Sequence, residues 1–524
     1  MSSEKFREKI QAGYAFKGAC ITLGGAVYNN EVQSGVLVSA ALRTINRHGL
    51  IAGATGTGKT KTIQKLTEAL SDNGISVLMM DIKGDFSGVS QAGAMNERIK
   101  ERHDKLGIAW NAQQYPVEFL TISKENGVRM RATVSEFGPV LFSKVLGLND
   151  TQAGIVSIIF KYCDDNKLPL LDLKDFKKVV NFITNEGKDE ITKNYGNIAT
   201  QSAGTILRNL LMLEQQGAEF FFGEKSFEVD DLCRINEQGQ GMINILRLND
   251  IPDKPQLFST FMLSLLAEIY ATFPEEGDVD APKLVFFIDE AHLIFNEASK
   301  ALLQQLESII KLIRSKGIGI VFCTQNPIDI PQSILAQLGF KIQHALRAFT
   351  ANDRKAIKQC AQNYPETEFY KTEDLLTQLG IGEALITVLD ERGAPTPLVH
   401  TMLCAPASRM DTISQAELDL IVSKSQLAKK YNELVDRESA FEMLTKKIEM
   451  AAEQEETSTT SAPTSAKASA KKEEEGGVLD TIGDMANSSV GKVIMREVTR
   501  GLLGVLGLGG STRRKTTRSR GLFG

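Results

Sequence analysis

A glycine-rich segment that ends in a lysine and a threonine carries the most specific chemistry in the sequence. Glycines and the Lys59-Thr60 pair follow the spacing G-x-x-x-x-G-K-[ST]. Glycines in this spacing let backbone amides wrap around phosphate oxygens, while the lysine reaches the β- and γ-phosphates and the threonine hydroxyl binds Mg²⁺. The sequence therefore predicts a binding loop for a nucleoside triphosphate, formed by Gly53, Ala54, Thr55, Gly56, Thr57, Gly58, Lys59, Thr60 and Lys61.

A second candidate site is a pair of adjacent acids, Asp289 and Glu290, that follows the apolar run 283–288. Asp289 is placed to hold Mg²⁺ together with Thr60, and Glu290 to polarise the water that attacks the γ-phosphate. A glutamate at this position indicates an ATP hydrolase rather than a kinase, which must exclude water. The alternative for this pair is a solvated acidic turn.

Polar residues also follow two other apolar runs. Gln325 comes after the run 318–323, where a neutral donor can contact both the γ-phosphate and the attacking water. Asp81, Lys83 and Asp85 come after the run 75–80, and we expect them beside the nucleotide. The turn at Pro327 explains part of the polarity around Gln325, and an ordinary polar loop remains the alternative for the three charged residues.

The elements that must position these residues alternate between apolar strands and amphipathic helices. A strand ends at Ala52, a helix with one apolar face runs from Lys61 to Leu70, and further apolar runs precede each polar cluster. Buried parallel strands read as continuous apolar runs and deliver polar residues at their carboxyl ends. We therefore predict an α/β fold with a mostly parallel sheet.

The chain is too long for one ordinary domain, and its patterns divide it into seven segments. Helical periodicity replaces strand rhythm in one long insertion, and a segment rich in Glu, Ser, Thr, Ala and Lys predicts disorder. The predicted segments are an N-terminal extension, 1–44; a first core segment, 45–122; a mostly helical insertion, 123–240; a second core segment, 241–405; C-terminal helices, 406–450; a disordered linker, 451–476; and a glycine-rich amphipathic segment with a basic tail, 477–524.

Composition narrows the class of protein. The formal net charge is −5, so any contact with DNA must come from a local patch or a pore rather than from overall charge. The six cysteines form no C-x-x-C pair, which indicates reduced thiols and no zinc site. The sequence begins without an apolar signal core and has no run of about 18 apolar residues, so we expect a cytoplasmic protein without a transmembrane segment.

The basic tail is the one strongly charged segment. Residues 511–520 contain five positive charges and no acid. Such a tail binds DNA, RNA or an anionic membrane surface, or it serves only to keep the chain in solution.

These motifs, taken together and in order, resemble those of the HerA/FtsK superfamily of ring-forming ATPases, and more closely a bacterial family of HerA-like ATPases. The resemblance covers roughly residues 35 to 405 and rests on the segments 47–60, 81–86, 147–154, 284–293, 313–317, 324–327 and 344–350.

The resemblance implies a RecA-like (ASCE) P-loop NTPase core in which the strand before Gln325 lies between the phosphate-loop strand and the strand before Asp289. It also implies a homo-oligomer, a hexameric ring with ATP at the subunit interfaces, DNA in the central pore, and an arginine supplied by the neighbouring subunit. Arg314 matches the position of that arginine best and Arg347 second.

Two functions follow as hypotheses. The first is an ATP-hydrolysing oligomeric motor, a helicase or translocase that moves or remodels DNA. The second is an ATP-dependent switch or scaffold that assembles on a protein or membrane partner through residues 477–524. The net charge and the lack of a recognisable DNA-binding module favour the second hypothesis, and the resemblance favours the first.

Overall fold

The computed structural model describes residues 3–251, 253–277, 279–297, 300–433, 435 and 437–459. The chain divides into two compact units. The first unit comprises residues 1–132 and 209–437 and contains the whole sheet. The second comprises residues 133–208 and, of the described chain after residue 437, residues 438–459, and its secondary structure is helical.

Twelve strands form one sheet in the order β2-β1-β12-β11-β10-β3-β9-β8-β4-β7-β5-β6. The strands are β1 (Cys20–Tyr28), β2 (Glu31–Ala41), β3 (Gly49–Ala52), β4 (Ser76–Asp81), β5 (Val117–Thr121), β6 (Val128–Arg129), β7 (Ile243–Arg247), β8 (Leu284–Ile288), β9 (Ile318–Thr324), β10 (Phe340–Gln343), β11 (Glu383–Thr387) and β12 (Val399–Leu403).

The helices fall between these strands and in the second unit. They are α1 (Ser3–Gly13), α2 (Lys59–Asp72), α3 (Glu97–Leu106), α4 (Val134–Val145), α5 (Asp150–Asp165), α6 (Leu173–Thr184), α7 (Lys188–Tyr195), α8 (Thr200–Gln215), α9 (Pro255–Thr272), α10 (His292–Glu297), α11 (Lys300–Ile313), α12 (Gln332–Leu335), α13 (Ala351–Ala361), α14 (Thr372–Gln378), α15 (Gln415–Lys424), α16 (Gln426–Tyr431) and α17 (Ala440–Thr459).

The centre of the sheet is parallel, as the continuous apolar runs predict. Every residue of β3, β4, β8 and β9 is buried. Strand β9 pairs in parallel with β3 on one side and with β8 on the other, so the strand before Gln325 lies between the other two. The predicted α/β class and the RecA-like strand order are therefore confirmed.

One side of the sheet is antiparallel, and the N-terminal extension belongs to it. Strands β1 and β2 form a hairpin, and β1 pairs with β12 rather than with a neighbour in sequence. Helix α1 buries Phe6 and Ile10, and Phe6 stacks on Tyr28 of β1 at a centroid distance of 4.7 Å. Residues 3–41 are thus part of the first unit's fold, since they close one edge of its sheet and share its hydrophobic core.

The second unit has its own aromatic core. The rings of Phe142 in α4, Phe160 in α5 and Phe176 in α6 have centroids 4.9 to 6.2 Å apart. Tyr162, which is also in α5, is fully buried. Helix α17 packs against α6, where the Phe441 amide donates to Asp175 at 2.9 Å. Aromatic burial of this kind lets a small helical unit form a core of its own.

Two predicted boundaries differ from those of the structure. The helical unit begins at Thr133 and leaves out residues 209–240, which belong to the unit with the sheet. The predicted linker 451–476 begins too early, because α17 continues through Thr459. The alanines and glutamates at 451–456 favour helix, which explains the extension.

The remainder of the predicted linker and the segment 477–524 lie outside the described residues. Within the described part of the chain, no helix has both the length and the apolar character that crossing a membrane requires.

Candidate active site

The predicted site residues emerge together from one edge of the sheet. In the parallel register, Ala52 of β3 lies opposite Thr324 of β9, and Ile288 of β8 lies opposite Met80 of β4. The phosphate loop, Gln325, the Asp289-Glu290 pair and the segment from Asp81 therefore all begin at the carboxyl ends of adjacent strands. This edge is where open parallel sheets bind their ligands.

The phosphate loop is held in shape by residues that lie just after β10 and just before β11. The Ala54 amide donates to Ala345 O at 2.8 Å, and the Gly382 amide donates to Thr57 O at 3.1 Å. Gly53 passes so close to His344 that a Cβ at Gly53 would lie 2.5 Å from the His344 Cβ. Gly56 and Gly58 have φ of +80° and +106°, which glycine adopts without strain. The loop thus needs these glycines for its own conformation as well as for phosphate access.

Lys59 begins helix α2 and folds back onto the loop. Its Nζ donates to Gly53 O at 2.6 Å and to Ala54 O at 3.2 Å. Burial lowers the pKa of Lys59, and the charge of Glu290 partly opposes that effect. The neighbouring Lys61 contacts Met410 O, and its Nζ also lies 3.4 Å from Gln64 Oε1. Lys59 thus lies near Glu290 and Asp289, whereas Lys61 lies near Asp85.

Two carboxylates suited to Mg²⁺ accompany the Thr60 hydroxyl at this edge of the sheet: Asp85 contacts it, and Asp289 lies within electrostatic range of Asp85. The Thr60 hydroxyl donates to Asp85 Oδ2 at 3.2 Å, and Asp85 Oδ1 is buried with no hydrogen-bond partner among the described residues. Asp289 is 6% exposed, and burial together with the charge of Glu290 raises its pKa to about 6. A hydroxyl and two carboxylates are hard oxygen donors, so these residues fit a Mg²⁺ ion bound with nucleotide phosphates.

Glu290 lies in a strained and crowded position. Its φ is +47°, a left-handed conformation that costs a residue other than glycine roughly 1–2 kcal/mol. Oε1 pairs with Lys83 Nζ and lies 3.5 Å from Gln325 Nε2, and Oε2 lies 3.2 Å from His292 Nδ1. Burial opposes ionisation, but the bond and charge of Lys83 outweigh it and hold the pKa of Glu290 below its ordinary value. Glu290 is thus an ionised carboxylate that Lys83 and Gln325 hold in position.

The two candidate arginines lie at different ends of the sheet. Arg314 begins a short 3-10 helix, Arg314–Lys316, that ends at Gly317 just before β9 starts. Arg347 is exposed and lines a cavity of about 460 Å³ together with Thr55, Gln325 and Phe349. Arg347 is therefore beside the phosphate loop of its own chain, whereas Arg314 is at the opposite edge of the sheet.

The segment after β4 makes contacts that the sequence did not predict. Asp81 accepts hydrogen bonds from the amides of Gly84, Asp85 and Phe86 at 2.7 to 3.3 Å, and burial, with the charge of Asp85, raises its pKa to about 7. Asp81 therefore shapes the loop that brings Lys83 to Glu290 and Asp85 to Thr60. That these residues lie at the same edge of the sheet as the phosphate loop was predictable from the strand end, but these pairings were not.

His344 was also missed as a site residue. It follows β10, is fully buried, and its Nε2 lies 3.0 Å from the Thr62 hydroxyl of α2. Burial, with the nearby charge of Lys59, lowers the pKa of His344 to about 4. The available signal was that His344 is the first residue of the segment 344–350, one of the segments that carry the family resemblance.

Comparison with known proteins identifies similar sequences. The family model described as "Helicase HerA-like C-terminal" matches residues 28–514. The DNA double-strand break repair helicase HerA of Sulfolobus acidocaldarius is 23% identical over 360 residues, which cover 68% of this chain and 65% of that protein. The DNA import protein CedB of the same organism is 24% identical over 361 residues, covering 68% of this chain and 52% of that protein. The chain thus matches about two thirds or less of each relative's length.

Among solved structures, the plasmid coupling protein TrwB in complex with a non-hydrolysable ATP analogue is similar in fold. The match has a TM-score of 0.50 at 13% identity and covers 79% of this chain and 96% of that chain. At this level of identity the likeness concerns the fold alone.

Proposed function

Because the chain belongs to the helicase HerA-like C-terminal family, within the HerA/FtsK superfamily of P-loop ATPases, we propose that it hydrolyses ATP to ADP and phosphate at the site described above. The observation that carries this proposal is Glu290. It is an ionised carboxylate at the end of a buried strand, fixed beside the phosphate loop by Lys83 and Gln325. A glutamate so placed accepts a proton from the attacking water.

Each residue has a distinct role in this reaction. The loop amides and Lys59 bind the β- and γ-phosphates once Lys59 leaves the carbonyls of Gly53 and Ala54. Thr60, Asp289 and Asp85 would hold Mg²⁺, which would neutralise charge that builds up on the phosphates. Glu290 orients the water, and Gln325, next to the same Glu290 oxygen, contacts the water or the γ-phosphate.

We extend the proposal to an oligomer in which Arg314 completes the site of a neighbouring subunit. A guanidinium neutralises charge on the γ-phosphate in the transition state. Since Arg314 precedes β9 and the phosphate loop follows β3 at the other edge, Arg314 cannot reach the nucleotide of its own chain. The superfamily resemblance supports a hexameric ring as the assembly.

DNA is the proposed substrate of the motor. The named relatives are a DNA repair helicase and a DNA import protein, which supports a translocase or helicase that acts on DNA. The test is the rate of ATP hydrolysis with and without single- and double-stranded DNA at fixed salt. The full chain is compared with a chain that stops after Thr459, because a cut at Met450 would divide α17.

Stimulation by DNA that survives the truncation supports the DNA motor and a DNA site outside the tail. Stimulation that is lost with residues 460–524 assigns DNA binding to the tail. Absence of stimulation by either form of DNA contradicts the motor and favours the second candidate, an ATP-dependent switch or scaffold that uses its C-terminal segment. The formal net charge of −5 and the lack of a recognisable DNA-binding module are the features of the sequence that favour this second candidate.

A further inference from the structure

Lys83 is a charged residue of the site whose only role in the reaction outlined above is to hold Glu290 before the nucleotide binds. It lies in the loop after β4, and its ammonium group pairs with Glu290 Oε1. The Glu290 side chain is 6% exposed and that of Lys83 is 44% exposed. The proposed general base is therefore buried, while the cation that binds it has room to move.

This pairing opposes catalysis as long as it lasts. The bound ammonium group takes one of the two Glu290 oxygens that could accept a proton from the attacking water. The ammonium also occupies Oε1, the oxygen that Gln325 approaches. In the site without nucleotide, Glu290 is thus paired with Lys83, and this ion pair must break before hydrolysis.

A nucleoside triphosphate supplies a competing partner for Lys83. Lys59 and Lys83 lie near enough for their positive charges to repel each other, and both lie near Glu290 and Asp289. The γ-phosphate of ATP, when bound by Lys59, brings negative charge close to Lys83, whereas ADP has no γ-phosphate and brings no such charge. A lysine has three donors on a flexible four-carbon stem, so it can change partners by rotating its side chain.

We propose that Lys83 is a positioning residue that senses the γ-phosphate: it binds Glu290 in the empty site and transfers to the γ-phosphate when ATP binds, which releases Glu290 to act on water. This inference rests on the proposed ATPase function. It adds a way for the site to distinguish ATP from ADP before hydrolysis, and it makes the availability of the general base depend on the nucleotide.

The experiment measures equilibrium binding of a non-hydrolysable ATP analogue and of ADP, both with Mg²⁺, to the full chain. Lys83→Met is expected to weaken binding of the analogue about 10- to 100-fold, the range of a charged hydrogen bond, and to leave ADP binding within about twofold. Lys83→Arg keeps the charge and is expected to retain most of the preference for the analogue. Lys105→Met, which removes a positive charge from the exposed pair with Glu101, is the matched control and is expected to change neither affinity.

Glu290→Gln provides a second test, since it removes the competitor for Lys83. We expect it to bind the analogue more tightly than wild type, with ADP binding unchanged. The double variant Lys83→Met/Glu290→Gln is expected to lose this gain. Because it removes both partners, it also avoids leaving a buried carboxylate unpaired, and its folding is checked by thermal unfolding without nucleotide.

Equal losses for ADP and the analogue in Lys83→Met would overturn the inference, and so would unchanged binding of the analogue. A gain in Glu290→Gln that persists without Lys83 would also overturn it. Wild-type chain that binds neither nucleotide would instead contradict the proposed ATPase function, so the two failures are distinguishable.

Discussion

Arg314 and Gln325 flank the same strand, β9, at its opposite ends. Arg314 begins the 3-10 turn before the strand, and Gln325 follows its last residue, Thr324. The strand has seven residues, which at about 3.3 Å per residue separates the two ends by roughly 20 Å. One strand therefore places Gln325 on the side of the phosphate loop and Arg314 at the far end of the sheet, as the role proposed for Arg314 in a neighbouring subunit requires.

This relationship predicts the behaviour of mixed oligomers. Arg314→Ala alone is expected to lower ATP hydrolysis by about 10³-fold or more, the usual contribution of an arginine finger. Lys59→Ala alone is expected to be inactive because it loses phosphate contacts. When the two variants are mixed, some sites combine Lys59 from one subunit with Arg314 from its neighbour, so hydrolysis is expected to return to a fraction of the wild-type rate.

The matched control is a mixture of Lys59→Ala with Glu290→Gln. Lys59 and Glu290 both belong to the site of the chain that carries them, so each substitution inactivates the site of its own subunit. No combination of these subunits therefore builds an intact site, and hydrolysis is expected to stay at the level of the single variants. If the mixture with Arg314→Ala is equally inactive, Arg314 does not act in a neighbour's site.

A prediction about metal binding concerns the hydroxyl of Thr60. Thr60→Val keeps the shape of the side chain and removes the hydroxyl that lies beside Asp85 and faces the proposed Mg²⁺ site. We expect hydrolysis to be strongly reduced and the Mg²⁺ concentration for half-maximal rate to rise. Thr60→Ser, which keeps the hydroxyl, is expected to remain close to wild type, and EDTA to abolish hydrolysis in all forms. Equal Mg²⁺ titrations for the valine and serine variants would refute a role for this hydroxyl.

A third prediction concerns the close approach of Gly53 and His344. Gly53→Ala places a methyl group 2.5 Å from the His344 Cβ, which is not the end of a flexible side chain. We expect a loss of stability of about 1–3 kcal/mol and a loss of nucleotide binding, because the loop must move away. Gly154→Ala is the control, since that glycine lies in α5 with nothing within 4 Å of the added Cβ, and it is expected to stabilise its helix. Normal nucleotide binding by Gly53→Ala would contradict the expectation.

Two buried histidines predict sensitivity to acid. Burial lowers the pKa of His48 to about 4, and His344 has a similar value for the same reason. In the unfolded chain each histidine binds a proton near pH 6.5, but in the folded chain only near pH 4. The contribution of the neutral histidines to the free energy of unfolding is therefore complete above about pH 6.5 and is lost as the pH drops toward 4. Between pH 7.5 and 5, each histidine is expected to account for roughly 2 kcal/mol of the fall.

The measurement is the free energy of unfolding in urea at pH 7.5 and pH 5 for wild type and for His344→Gln. The variant is expected to be less stable at pH 7.5, because it loses the contact of His344 with Thr62, but to lose less on acidification. The same loss on acidification in both proteins would show that His344 does not titrate as described.

The sequence predicted the central region of the site because local patterns determine it. Apolar runs long enough for a buried strand, each followed by polar residues, predicted that the phosphate loop, Glu290 and Gln325 share one edge of the sheet. The structure brings Glu290 and Gln325 together there.

The contacts that sequence reasoning missed are those between residues far apart in the chain. Lys83 and Glu290 meet only because β4 and β8 are neighbours in the sheet, and His344 reaches the loop only because β10 pairs with β3. Single-residue patterns carry no information on such pairings. Likewise, the pairing of β1 with β12 joins the two ends of the first unit's sequence, so the role of the N-terminal extension in the sheet was not predictable from its own residues.

The most direct test of the proposed function is ATP hydrolysis by the full chain and by Glu290→Gln, measured beside equilibrium binding of a non-hydrolysable ATP analogue. We expect wild type to hydrolyse ATP, and Glu290→Gln to bind the analogue at least as tightly while its hydrolysis falls by about 10²-fold or more, as expected on loss of a general base. Hydrolysis by Glu290→Gln at the wild-type rate would contradict the assignment of Glu290 as the general base, and with it the mechanism proposed for this site.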